Sequence, residues 1–114
     1  MAYDEDVAER IRELITETHD VTERKMFGGL AFLIGGNMAL ADSGEGGIMV
    51  RVGPEAYEHL LESTAAEEVV MRGRPMTGWV RVAADDVRTK RQLRPWVTRG
   101  ADHAASLPPK APKR

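Results

Sequence analysis

The residues with chemistry to offer are scattered. His19, His59 and His103 lie far apart, and none has a second histidine or a carboxylate at metal-ligand spacing. Each falls at an expected helix surface or end, where a solvated imidazole is the simplest reading. Glu67-Glu68 and Asp85-Asp86 are sequence neighbours, which a helix or strand points to different sides, so neither supplies the converging carboxylates of acid–base catalysis. Ser43, Ser63 and Ser106 stand outside any nucleophile-elbow context. The absence of cysteine removes thiol nucleophiles, disulfides and thiolate metal sites. Gly44-Glu45-Gly46-Gly47 leads into a strand rather than a helix N-terminus, and no Gly-Lys-Ser/Thr follows, so these glycines read as turns. The expectation is a protein that is not an enzyme and uses no cofactor or metal.

Charge is the uneven property. Residues 1–70 hold five Lys/Arg against fifteen Asp/Glu, and residues 71–114 hold eleven against three, within a net charge of −2. Near the C-terminus Arg88, Arg91, Arg94 and Arg99 fall opposite Leu93, Trp96 and Val97 at helical spacing. They are candidate nucleic-acid contacts. The competing reading is a helix face that complements the acidic first helix, within one subunit or between two, and the acidic pI of about 5.9 favours it.

These side chains need elements to position them. Asp4 can cap an amphipathic helix with Val7, Ile11, Leu14, Ile15 and Thr18 on one face, ending near His19-Asp20. Five apolar residues, Leu30 to Ile34, sit between two glycine pairs and read as a buried strand. A strand from Val21 to Phe27 precedes it, with a bend at Gly28-Gly29. Gly35-Gly36 suits a two-residue hairpin turn into a return strand at Met38–Ala41. Ile48, Val50 and Val52 alternate with Met49 and Arg51 as a half-buried strand does. Pro54 opens a helix with Tyr57, Leu60 and Leu61 on one side. Strands follow at Glu68–Arg72 and Gly78–Val82 around a turn at Gly73-Arg74-Pro75, and Thr89 caps a last helix with Leu93, Trp96, Val97 and Gly100 inward.

The fold class is thus α+β in two layers: an antiparallel sheet with helices on one face, in the order α-β-β-β-β-α-β-β-α. Leu30, Phe32, Ile34, Val50 and Trp96 are the expected core. Residues 1–105 form the domain, and 106–114, rich in Pro and Lys, form a disordered tail. No apolar run approaches the ~20 residues of a membrane span, and the acidic N-terminus is unlike a signal peptide, which points to the cytoplasm and away from membranes. If Val80 and Val82 point to the helices, Trp79 and Arg81 point away, as do Met49 and Arg51. Those four are the candidate interaction surface on a face that no helix covers.

Lys-Met-Phe-Gly-Gly-Leu-Ala-Phe at 25–32, the Gly-Gly hairpin to Met38, Ile-Met-Val-Arg-Val at 48–52 and Arg-Gly-Arg-Pro-Met-Thr-Gly-Trp-Val-Arg-Val at 72–82 together resemble the N-terminal domain of the TfoX/Sxy family. The resemblance runs from about Tyr3 to Ala104. Its most specific parts are Met26-Phe27-Gly28-Gly29 and Gly73-x-Pro75-Met76; Leu93-x-x-Trp96-Val97 is similar to the family's closing helix. It implies a curved antiparallel sheet with helices on one side, similar in architecture to secretion chaperones. Named members are bacterial regulators of natural competence thought to act with the cyclic-AMP receptor protein, and are not known as enzymes. Longer members carry a second, helical domain, so this chain is expected to be a stand-alone short form. The resemblance carries over no catalytic or ligand residue. A regulatory or adaptor domain that binds protein, as a homodimer or with another partner, is therefore the expected function; direct nucleic-acid binding is the alternative.

Overall fold

A computed structural model describes residues 4–26, 28–44 and 46–109. Asp4 caps α1 (Glu5–Ile15) by accepting from the backbone of Asp6 and Val7. The strands are β1 (Thr22–Met26), β2 (Gly29–Ile34), β3 (Asn37–Asp42) and β4 (Ile48–Arg51), then β5 (Glu67–Met71) and β6 (Arg74–Val82) after α2 (Pro54–Ser63). A short 3-10 turn at Ala84–Asp86 leads to α3 (Lys90–Ser106), which Thr89 and Gln92 close with a reciprocal capping box. One antiparallel sheet runs β1-β2-β3-β4-β6-β5, with all three helices on one face. This is the α+β fold and element order read from the sequence.

Register explains the core. Phe32, Leu40, Val50 and Val80 are successive cross-strand partners, all fully buried, and they form a row under the helices. Leu30, Ile34 and Trp96 join them in the core as expected. Gly35 and Gly36 take φ of 59° and 82°, the paired positive values of the hairpin turn read from the sequence. The helix layer is seated by Gly100: a Cβ there would stand 2.5 Å from the Ala39 carbonyl oxygen, so α3 crosses β3 in close contact.

Two local expectations are corrected. The first helix ends at Ile15, not near His19-Asp20, and Thr18 is exposed. Thr16 Oγ1 donates to the Arg12 carbonyl at 2.6 Å, a side-chain competition that weakens the helix end. The last strand begins at Arg74, so Arg74 and Pro75 belong to β6 and the turn is Arg72-Gly73, with φ of 52° and 77°. At Pro75 only β5 flanks the strand, because β4 pairs with Trp79 to Val82, and proline is tolerated at such a one-sided position. Leu61 is half-buried and packs against the core on the side of α2 that carries Tyr57 and Leu60, as expected.

The described end of the tail, 107–109, touches the β2–β3 hairpin: the buried Asn37 donates from Nδ2 to the Pro108 carbonyl at 3.0 Å. No described helix is long and apolar enough to cross a membrane.

Candidate binding surface on the uncovered sheet face

On the face away from the helices, cross-strand partners again form a row: Arg24, Ala31, Ala41, Met49, Arg81 and Glu67. Two alanines at the centre make its floor low. Larger side chains rise around them, Met26 from β1, Met38 from β3, Met71 from β5, and Met76 and Trp79 from β6. The result is a groove of about 240 Å³, which Val69 and the backbone around Gly44 also line. Ala31, Leu33, Ala41, Met26 and Met38 pack as a second apolar cluster, separate from the core beneath the helices.

The groove holds five of the chain's six methionines, the sixth being Met1, outside the described residues. Methionine is flexible and polarisable, and it suits a surface that adapts to what it binds better than a unique packed core. Sequence reading placed Met49 here but missed the other four. Parity alone could not find them: Met38 and Met76 share period two with the buried Leu40 and Val80 of their own strands, and register shifts in the β2–β3 and β5–β6 pairs bring them to the groove.

The four residues expected to share this face do share it. Met49 lies opposite Arg81 and Arg51 opposite Trp79, all half-buried. The Arg51 guanidinium stands 5.9 Å from the Trp79 ring centroid, within cation–π range. Arg81 donates to the Gly46 carbonyl at 3.4 Å.

The glycine motifs shape the same face. At Gly29 an added Cβ would stand 2.2 Å from the Asp42 carbonyl oxygen, so only glycine lets β2 approach β3 there, while Gly28 supplies a positive φ of 78°. Phe27 lies outside the described residues. Met26 and Met76, from the two sequence motifs, both reach the groove; Gly73 serves the β5–β6 turn.

The arginines read as nucleic-acid contacts have other occupations. Arg88 pairs with Asp85 at 2.5 Å, Arg94 with Glu17 at 3.5 Å, and Arg99 stacks 4.7 Å from the Trp96 ring. Lys90 reaches Glu13 at 2.8 Å. Two of these pairs tie α3 to the acidic α1 and to the turn that follows it, so much of the basic stripe is spent within the subunit. Arg91 is exposed.

Between α2 and α3 a wider cleft gathers His59, Ser63, Arg99, Asp102 and His103. Ser63 Oγ already donates to the His59 carbonyl at 2.7 Å, which is no nucleophile–base geometry. His103 departs from the expectation of a solvated ring: it is half-buried, its ring against Gly53, and burial and the nearby Arg51 charge hold its pKa below the usual value. Among the described residues no group of three His, Cys, Asp or Glu could hold a metal.

One buried group escaped the sequence reading. Asp42 lies between Leu30 and Ile48 in a core-facing row, is 1 % exposed, and among the described residues neither carboxylate oxygen has a hydrogen-bond partner. Burial, and then the charge of Asp4, push its pKa up to about 7.

A family model described as the TfoX N-terminal domain matches residues 13–104, which takes in every element from the middle of α1 to the last turn of α3. No curated protein matches the chain.

Proposed function

The chain belongs to the TfoX N-terminal domain family, and on that premise we propose that it is a non-enzymatic regulatory domain that acts by binding a protein through its uncovered sheet face. The observation that carries this reading is the concentration of Met26, Met38, Met49, Met71, Met76 and Trp79 in one solvent-facing groove. An apolar patch of this kind, ringed by polar side chains, is the ordinary signature of a protein contact. The family's association with competence regulation agrees with a regulatory role.

Nucleic-acid binding by α3 is the less favoured reading, because Lys90 is engaged by Glu13 of α1 and Arg94 by Glu17 in the turn after it. The two readings separate by experiment. Photo-reactive methionine incorporated into the chain should cross-link a protein in native extract, and Trp79→Ala should abolish the adduct. Affinity for duplex DNA should stay weak and unchanged by Arg91→Gln. Tight DNA binding with a steep salt slope that Arg91→Gln reduces would replace the protein-binding reading with the nucleic-acid one.

A further inference from the structure

The charges around the groove are not balanced. Register places Arg24 two residues along β1 from Met26, and Arg51 two along β4 from Met49. Arg74 and Arg81 stand in the same relation on β6 to Met76 and Trp79. Residues two apart on a strand share a face, so four arginines border the methionines. Glu67, opposite Arg81, is the one carboxylate that register adds to this face among the described residues, and Asp42, which also lines the groove, is buried. The surface is therefore cationic in a chain whose net charge is −2.

The groove is also long. Met26 belongs to one edge strand and Met71 to the other, so the methionines run across all six strands. That is about 24 Å measured along the sheet, at about 4.8 Å between strands. A helix of roughly 16 residues has that length. A small ligand could fill the deepest part, but it would leave the outer methionines uncovered, and Met71 is 39 % exposed. The opposite face of the sheet is already covered by helices, and a helix laid here would complete a third layer.

We propose that the groove receives an acidic amphipathic helix from a partner protein, its apolar side chains seated among the methionines and Trp79 and its carboxylates facing Arg24, Arg51 and Arg74. This rests on the protein-binding reading above and adds the chemistry of the partner. Charge complementarity decides the occupant. A second copy pairing face to face about a two-fold axis would set these arginines against one another.

The test uses the full chain with 13C-methyl methionine and three synthetic peptides of about 18 residues. Two share leucines at i, i+3, i+4 and i+7, one with glutamates and the other with lysines elsewhere; the third has the glutamate composition with its leucines scrambled off one face. The glutamate peptide should shift the methyls of Met26, Met38, Met49, Met71 and Met76 at micromolar concentration. Binding should weaken about tenfold or more when salt rises from about 50 mM to about 500 mM. Replacing Arg24, Arg51 and Arg74 by glutamate should reverse the preference to the lysine peptide. If that triple variant fails to fold, Met71→Gln should weaken the glutamate peptide alone. Equal or tighter binding of the lysine or scrambled peptide would overturn the acidic-helix proposal and leave the protein-binding reading standing. Silence toward every peptide, with methyl shifts that instead follow the chain's own concentration or added duplex DNA, would overturn the proposal and its heteromeric partner together.

Discussion

Arg51 and Trp79 are direct partners across β4 and β6, and the guanidinium rests 5.9 Å from the indole ring centroid. The contact joins the apolar floor of the groove to its cationic border, so the same pair offers a partner both an aromatic anchor and a charge. Arg51→Gln should therefore leave thermal stability within about 0.5 kcal/mol of the parent, while Trp79→Ala should cost more stability and more binding. Equal stability losses in urea titrations of both variants would show that the arginine is structural.

Phe32 stands in the fully buried row with Leu40, Val50 and Val80. Phe32→Ala should cost roughly 3–5 kcal/mol, because transfer and cavity contributions add. Chemical denaturation checks it; a loss below about 1 kcal/mol would mean that the β2 register differs by one residue.

Gly28 and Gly29 should answer alanine differently. Gly28→Ala meets open space and only the strain of a positive φ, about 1–2 kcal/mol. Gly29→Ala places a Cβ 2.2 Å from backbone, forcing β2 and β3 apart, and should be the more destabilising of the two. Paired melting curves decide the order.

Asp42 makes stability depend on pH with a definite sign. Its carboxyl titrates at an ordinary acidic pKa, 3.8, when the chain is unfolded and at about 7 when folded. Between those values the folded state binds more protons than the unfolded one, so this group's contribution falls as pH rises from about 4 to about 7 and is flat above. Asp42→Asn removes the dependence. Its stability relative to the parent should rise across that window by at most about 1.4 kcal/mol per pH unit, leaving the variant the more stable at pH 8. A difference that does not change with pH would show that Asp42 has found a partner.

Arg12 reaches both carboxylate oxygens of Glu23 and ties α1 to the edge strand β1. The guanidinium holds the Glu23 carboxyl below its usual pKa. Both side chains are about one-third exposed, so Glu23→Gln should cost no more than about 1 kcal/mol. The loss should show as faster amide exchange in β1, and high salt should diminish it.

Much of the fold was legible because each element depends on local spacing. The alternation of Ile48, Val50 and Val52, the Gly35-Gly36 turn, the Asp4 and Thr89 caps and the apolar run at 30–34 each specify their element through nearest-neighbour geometry. Boundaries failed where local signals competed, at Thr16, whose hydroxyl turns back onto the helix, and at Pro75, whose strand is flanked on one side only. The strand parity of Met49, Arg51, Trp79 and Arg81 was also readable, because period two needs no partner strand.

Tertiary structure alone decided what those residues belong to. Placing β6 between β4 and β5 brings Met76 and Trp79 beside Met49, and antiparallel pairing at both edges adds Met26 and Met71. These residues are separated by up to half the chain, and no local periodicity relates them. The same holds for Asp42, an ordinary strand-end aspartate in sequence, whose carboxylate is orphaned only because Leu30 and Ile48 flank it in register. It holds also for the basic stripe of α3, whose Lys90 and Arg94 find acidic partners because α3 packs beside α1. Backbone hydrogen bonding and helix geometry act over a few residues and can be read from the chain; cross-strand register and helix packing act between distant segments, and these assembled the groove.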